Sequence, residues 1–234
     1  MKQSAYHIYA CGDSALTVEF SNTIDEQINE QILSLFHFLQ KQKLKYIKDI
    51  IPAYGSLTVV YDLIEIKKHH HNAFGFIRSW LENILLTQND QTTINHRLVK
   101  IPVCYDSSIA LDIVELATKK NVSVEEFIQI HTQKKYRVYM VGFLPGFAYM
   151  GKVDERIAAP RKSTPRTDII AGSVGIAGKQ TGIYPLNSPG GWNIIGRTPV
   201  KMFDAKKEQP TFLQAGDDVE FVSISLEEFN QQLL

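Results

Sequence analysis

Arg161 and Arg166 stand on either side of the Thr164-Pro165 dipeptide, which holds the backbone in a narrow range of shapes. Guanidinium groups bind carboxylate and phosphate through paired N–H donors, so two arginines fixed by one turn point to an anion, or else to salt bridges with Asp154, Glu155 or Asp168. Their surroundings carry the same sign. Residues 160–203 hold six basic side chains (Arg161, Lys162, Arg166, Lys179, Arg197, Lys201) and one acid, Asp168, a local net charge of 6 − 1 = +5. The whole chain has a formal net charge of zero. Residues 142–199 also contain 10 of the 14 glycines and 6 of the 9 prolines. Glycine serves positive φ or close backbone approach, and proline fixes φ and removes a donor. The segment therefore reads as short strands joined by rigid, shaped turns that hold a ligand.

Other side chains are weighed by the same chemistry. Gly172, Ser173, Gly175 and Gly178 lie in AGSVGIAG, which serves either backbone donation to a ligand or tight strand crossing. No Gly-Lys-Ser/Thr follows and no helical pattern begins there, which argues against a phosphate loop. His131 precedes the apolar strand that starts at Tyr136, and it reads as a general acid–base or anion ligand, or as a cation at a helix C-terminus. His69, His70 and His71 are consecutive, so on a helix they would diverge by about 100° each and not converge on a metal. Arg197 either joins the site or pins a turn. No nucleophile–base pair is readable in the Gly/Pro-rich region, which contains no His and no Cys.

The elements around these residues follow from periodicity. Leu16, Val18 and Phe20 alternate as a strand, and Thr23-Ile-Asp-Glu26 reads as a capping box for a helix over about 25–42. Strands are expected near 46–51 and 57–62, and a helix over 69–86. This β-α-β-β-α order suggests a ferredoxin-like two-layer module. The polar stretch 87–97 marks a boundary, giving an N-terminal α+β domain over 1–90 and a second domain over 91–234. Beyond it come a strand at 99–105, helical residues over 108–131 broken near Asn121, a strand at 136–141, several short strands, a strand at 219–225 and a terminal helix. Close-spaced short strands suggest a barrel or sandwich.

Composition excludes several classes. A net charge of zero argues against nucleic acid as the main partner. The first ten residues lack the apolar run of a signal peptide and no stretch reads as a membrane span, so the expected location is the cytoplasm. Cys11 and Cys104 give neither a disulfide framework nor a zinc motif.

The motifs PRxxTPR, AGSVGIAGxQTGIYP and SPGGWxIIGRTP, preceded by GFxPGFxYM, resemble the family of the 5-oxoprolinase B subunit. That family is also described through a histidine-kinase inhibitor and as allophanate hydrolase subunit 1. The resemblance covers the C-terminal half with several motifs in order. It implies an α+β chain, a small N-terminal domain followed by a cyclophilin-like β-barrel. It also implies one component of an ATP-dependent assembly that opens 5-oxoproline to glutamate, with Arg166, Arg161 and His131 in catalytic roles. Gly172, Ser173, Gln180, Thr181, Tyr184, Gly190, Gly191, Trp192 and Arg197 would bind substrate. Gln180, Thr181 and Tyr184 offer an amide, a hydroxyl and a phenol suited to a lactam, and Trp192 a wall or an interface. ATP with magnesium would be shared with, or carried by, partner proteins: a second barrel of the C type and a companion of the A type. Phe143, Phe147 and Trp192 would form a concave, partly apolar docking surface. Two other readings remain open, a histidine-kinase inhibitor and a carboxyltransferase-type component of an allophanate hydrolase or urea carboxylase system.

Overall fold

The computed structural model describes residues 6–42, 44–87 and 96–233. The chain divides into two compact units, residues 1–95 and 96–234. The boundary expected at residue 90 lies outside the described residues.

The first unit contains β1 (His7–Ala10), β2 (Ala15–Glu19), α1 (Glu26–Gln42), β3 (Ile47–Pro52), β4 (Ser56–Tyr61), α2 (Leu63–Lys67) and α3 (Ala73–Thr87). Its described strands form an antiparallel sheet in the order β1-β2-β4-β3. The expected β-α-β-β-α order is present, with an additional edge strand, β1, ahead of it. Leu57, Val59 and Tyr61 alternate into the core, where Ile32, Leu35 and Leu39 of α1 meet them. The cap of α1 is Asp25 rather than Thr23. Its carboxylate accepts the N–H groups of Gln27 and Ile28 at 2.9 and 3.0 Å, whereas the Thr23 hydroxyl bonds that of Ser21. The second long helix starts later than expected. Asn72 Oδ1 accepts Gly75 N–H at 2.9 Å, so His69, His70 and His71 precede α3 instead of opening it. His70 stacks on Phe76 at 3.9 Å between ring centroids.

The second unit contains β5 (Leu98–Cys104), α4 (Ile113–Lys120), α5 (Val124–Thr132), β6 (Lys135–Val141), β7 (Ala148–Gly151) and β8 (Arg166–Ile169). There follow β9 (Ser173–Ala177), β10 (Gln180–Ile183), β11 (Ser188–Gly190), β12 (Asn193–Arg197), β13 (Asp218–Ile224) and α6 (Leu226–Gln232). Among the described residues seven strands close into a barrel, β10-β7-β6-β13-β5-β12-β9. The chain's last strand, β13, runs parallel to β5 and antiparallel to β6. Strands β8 and β11 pair separately as a two-stranded ribbon. Inside the barrel Ile101, Val103, Tyr136, Val138, Ile176 and Val219 are fully buried, each aliphatic side chain contributing roughly 1.5–3 kcal/mol. The helical region breaks where expected, with Asn121 in the left-handed conformation at φ 55°. Ser123 then caps α5 by accepting Glu126 N–H at 3.0 Å.

Gly175, in the middle of β9, illustrates why the barrel wall needs glycine. A Cβ there would lie 3.1 Å from Trp192 Cβ, tighter than ordinary packing. Its φ is not positive, so the requirement is close approach and not backbone freedom. Gly175→Val is expected to cost on the order of 1–3 kcal/mol through overpacking, read as a lower melting temperature. An unchanged melting temperature would show that the wall yields at no cost.

Candidate functional site

Arg166 opens β8 and its guanidinium is committed within the fold. Nη1 and Nη2 donate to the two oxygens of Asp112 at 2.7 and 2.6 Å. The same carboxylate accepts from Lys162 Nζ at 2.9 Å and from Ile194 N–H at 2.6 Å, while Asp112 N–H donates to Ile194 O at 2.8 Å. Asp112 is 2% exposed. Burial alone would raise its pKa, but the bonds from Arg166, Ile194 and Lys162 outweigh that and hold it below the usual carboxylate value. One carboxylate at the start of α4 thus ties the ribbon, the 160–166 segment and β12 together. Arg166 is thus a structural clamp, its guanidinium already paired with Asp112 before any ligand arrives. The salt-bridge partners that sequence suggested for the two arginines are engaged differently, Asp154 with Arg156 and Glu155 with Lys179.

His131 is likewise committed within the fold. It ends α5 inside the barrel, fully buried, with Tyr105 Oη 2.8 Å from Nδ1 and Thr181 Oγ1 3.2 Å from Nε2. Thr181 donates to Gly175 O at 3.0 Å, so its oxygen accepts from Nε2–H and the Tyr105 hydroxyl donates to Nδ1. Every member of the chain is satisfied. The ring stacks on Phe221 at 4.7 Å, and burial pushes its pKa down to about 3. A neutral imidazole with both nitrogens engaged and no exposure does not exchange protons with a ligand, and it is not a cation at the helix end.

The expected substrate-binding residues fall into different surroundings. Thr181 faces the barrel interior, Ser173 is 5% exposed, and Gln180 begins β10 half-exposed. Tyr184 and Trp192 are buried in a separate cluster with Phe147, Ile169 and Ile194. Gly172 takes φ 86° and gives its N–H to Tyr184 O at 2.7 Å, so this donor is spent on the turn. Arg197 pins structure: Nε donates to Ala171 O at 3.0 Å and the guanidinium lies 5.7 Å over the Phe229 ring. Gly190 ends β11, and Gly191 O accepts Lys162 N–H at 2.8 Å. Of the expected apolar docking surface only Phe143 is exposed, at 66%, while Phe147 and Trp192 are buried. An aromatic patch centred on those three side chains is therefore not presented to a partner.

Of the expected catalytic residues, Arg161 lines an open cavity. A cleft of about 570 Å³ separates α4 from the 159–164 segment, with Glu115, Leu116, Lys119 and Lys120 on one side and Ala159 to Thr164 on the other. Asn193, 7% exposed, closes it and donates to Pro160 O at 2.8 Å and Ile176 O at 3.2 Å. Lys119 pairs with Glu115 and Lys162 with Asp112, whereas among the described residues Arg161 and Lys120 have no carboxylate partner. Burial raises the phenols of Tyr149 and Tyr184, and the Arg161 charge opposes that rise, so its field reaches the aromatic cluster. Sequence reasoning missed Asp112, Asn193 and the lysines of α4. The legible signal was a carboxylate inside the apolar run Ile109 to Val114, in a chain that also holds a segment of +5.

A smaller cleft of about 360 Å³ in the first unit is lined by Asp13, Lys67, His71 and Phe74, among others, none of them an expected site residue. Among the described residues no group of His, Cys, Asp and Glu is arranged to hold a metal, and no helix is long and apolar enough to cross a membrane.

Comparison with known proteins places this architecture. Residues 6–213 match the family model "Carboxyltransferase domain, subdomain C and D". The chain is 43% identical over 229 residues to the 5-oxoprolinase B subunit of Bacillus subtilis, covering 96% of this chain and 95% of that one. It is 47% identical over 131 residues to the 5-oxoprolinase B subunit of Haemophilus influenzae, covering 56% of this chain and 62% of that one. The crystal structure of TTHA0988 superposes with a TM-score of 0.78 at 34% identity, covering 90% of this chain. This chain spans 40% of that one. A carboxyltransferase-type barrel bearing the motifs around Arg161 and Trp192, matched along nearly the full length of a relative, places the chain in the family of the 5-oxoprolinase B subunit.

Proposed function

We propose that this chain is the B subunit of a multi-component, ATP-dependent 5-oxoprolinase that opens 5-oxoproline to L-glutamate, and that it is inactive alone. The near-full-length match to a 5-oxoprolinase B subunit carries this reading. The chemistry of the chain supports the second part. A lactam amide is stable, and ATP supplies the activation that ring opening needs when it is bound. ATP with magnesium is shared with, or carried by, the partner proteins, and no step through it is assigned to this chain. What this chain offers is positive charge and polar groups around the Arg161 cleft, which hold and orient an anionic group in a site completed by other subunits. A second-barrel protein of the C type and a companion of the A type are the expected partners. A complex of that kind buries roughly 800 Å² or more on each side. Co-expression with candidate partner subunits, purification through a tag on this chain and an assay of 5-oxoproline-dependent ATP hydrolysis test the proposal. Co-purification with lactam-dependent turnover is expected. A stable complex without that turnover would overturn the substrate assignment.

A further inference from the structure

The Arg161 cleft has an excess of positive charge that the fold does not use. Asp112 receives two cations, Arg166 and Lys162, so that buried cluster retains one net positive charge beside the cleft. Lys119 and Glu115 cancel across one turn of α4. Arg161 and Lys120 add two more charges without carboxylate partners among the described residues. The cleft and its border therefore carry a net charge of +3. Cations grouped at a concave wall repel one another, and an anion seated between them relieves that repulsion.

The wall is held in place before any ligand arrives. Pro160 O accepts from Asn193, Gly178 N–H donates to Ala159 O at 2.6 Å, and Lys162 N–H donates to Gly191 O at 2.8 Å. Pro160 and Pro165 restrict φ at both ends of the segment. Ser163 and Thr164 are lining residues whose hydroxyl groups can donate to an oxyanion. Leu116 and Ala159, both buried, give the cleft apolar surface for the uncharged part of a small molecule. A volume of about 570 Å³ falls within the range of small-molecule sites, several hundred Å³.

We infer that this cleft is an oxyanion-binding site that seats the phosphate or carboxylate end of a small molecule between Arg161 and Lys120. This deepens the proposed function, since both the nucleotide and the lactam substrate carry such a group. The inference itself rests on the cleft, so binding and turnover distinguish the two. A cleft that binds phosphate in a chain whose complex shows no lactam-dependent ATP hydrolysis keeps the site and ends the 5-oxoprolinase assignment.

The test is calorimetric titration of the isolated full chain with ATP, ADP and inorganic phosphate in one arm, and 5-oxoproline and glutamate in the other. Saturable binding in at least one arm is expected, weakening as salt is raised. The arm that binds identifies whether phosphate or carboxylate is the ligand. The Arg161→Ala/Lys120→Ala double variant should bind that probe at least tenfold more weakly at an unchanged melting temperature. Lys207→Ala, an exposed lysine outside the cleft, should bind as the parent does. Absence of saturable binding with every probe, or a double variant that binds as tightly as the parent, would overturn the inference.

Discussion

Asp112→Ala should lower the stability of the second unit by about 3–5 kcal/mol, the range for removing one partner of a buried ion pair. The substitution leaves Arg166, Lys162 and the Ile194 N–H without their shared acceptor. Each of those groups is at least partly withdrawn from water, so solvent does not restore the lost bonds in full. Denaturant unfolding of the parent and the variant measures the difference, and a loss below about 1 kcal/mol would mean that the carboxylate is not the clamp described. Arg166→Ala removes one of two cations and should cost less. If Arg166→Ala left the melting temperature unchanged but abolished turnover of the assembled enzyme, Arg166 would belong to the reaction after all.

The second large effect is acid sensitivity from His131. Its folded-state pKa of about 3 lies below the ordinary value of 6.5, because burial disfavours the imidazolium. Between those two values the unfolded chain binds a proton that the folded chain refuses. Stability is therefore fully present above pH 6.5 and falls as pH drops toward 3, by roughly 1.4 kcal/mol per pH unit in the middle of that window. His37 in the first unit is shifted the same way, by burial and by Lys41, and adds to the decline. Comparison with His131→Gln isolates the barrel histidine. Between about pH 4.5 and 6.5, above the range where most carboxylates titrate, the variant should start less stable and show a shallower slope. Parallel slopes for the two proteins would show that His131 is not kept neutral by burial.

Much of the fold could be read from periodicity, because each core face repeats cleanly. Leu57, Val59 and Tyr61 alternate, the α1 residues recur at helical spacing, and Ser123 and Asn121 punctuate the helices as their chemistry requires. Strand β1 escaped because its burial pattern has one inward residue, Ile8, and no alternation to detect. The candidate site was legible only as a charge imbalance. Arg161 and Arg166 look equivalent in sequence, and the distinction between them is made by Asp112, 54 residues upstream of Arg166. Nothing local to either arginine announces that partner. The surroundings of His131 were illegible for a related reason: a histidine ahead of a strand says nothing about which way its ring points, and here it points into the barrel between Tyr105 and Thr181. Gln180, Thr181 and Tyr184 are close in sequence, but the strand's alternation and its end send them to different surroundings.

We propose that this chain contributes part of a shared site and has no turnover of its own. Its most direct test is ATP hydrolysis measured with magnesium and 5-oxoproline for the purified chain, for the partner subunits, and for the recombined set. Background rates are expected for each component alone, and lactam-dependent turnover only when they are combined. Robust turnover by the isolated chain, or by the partners without it, would rule out a shared site.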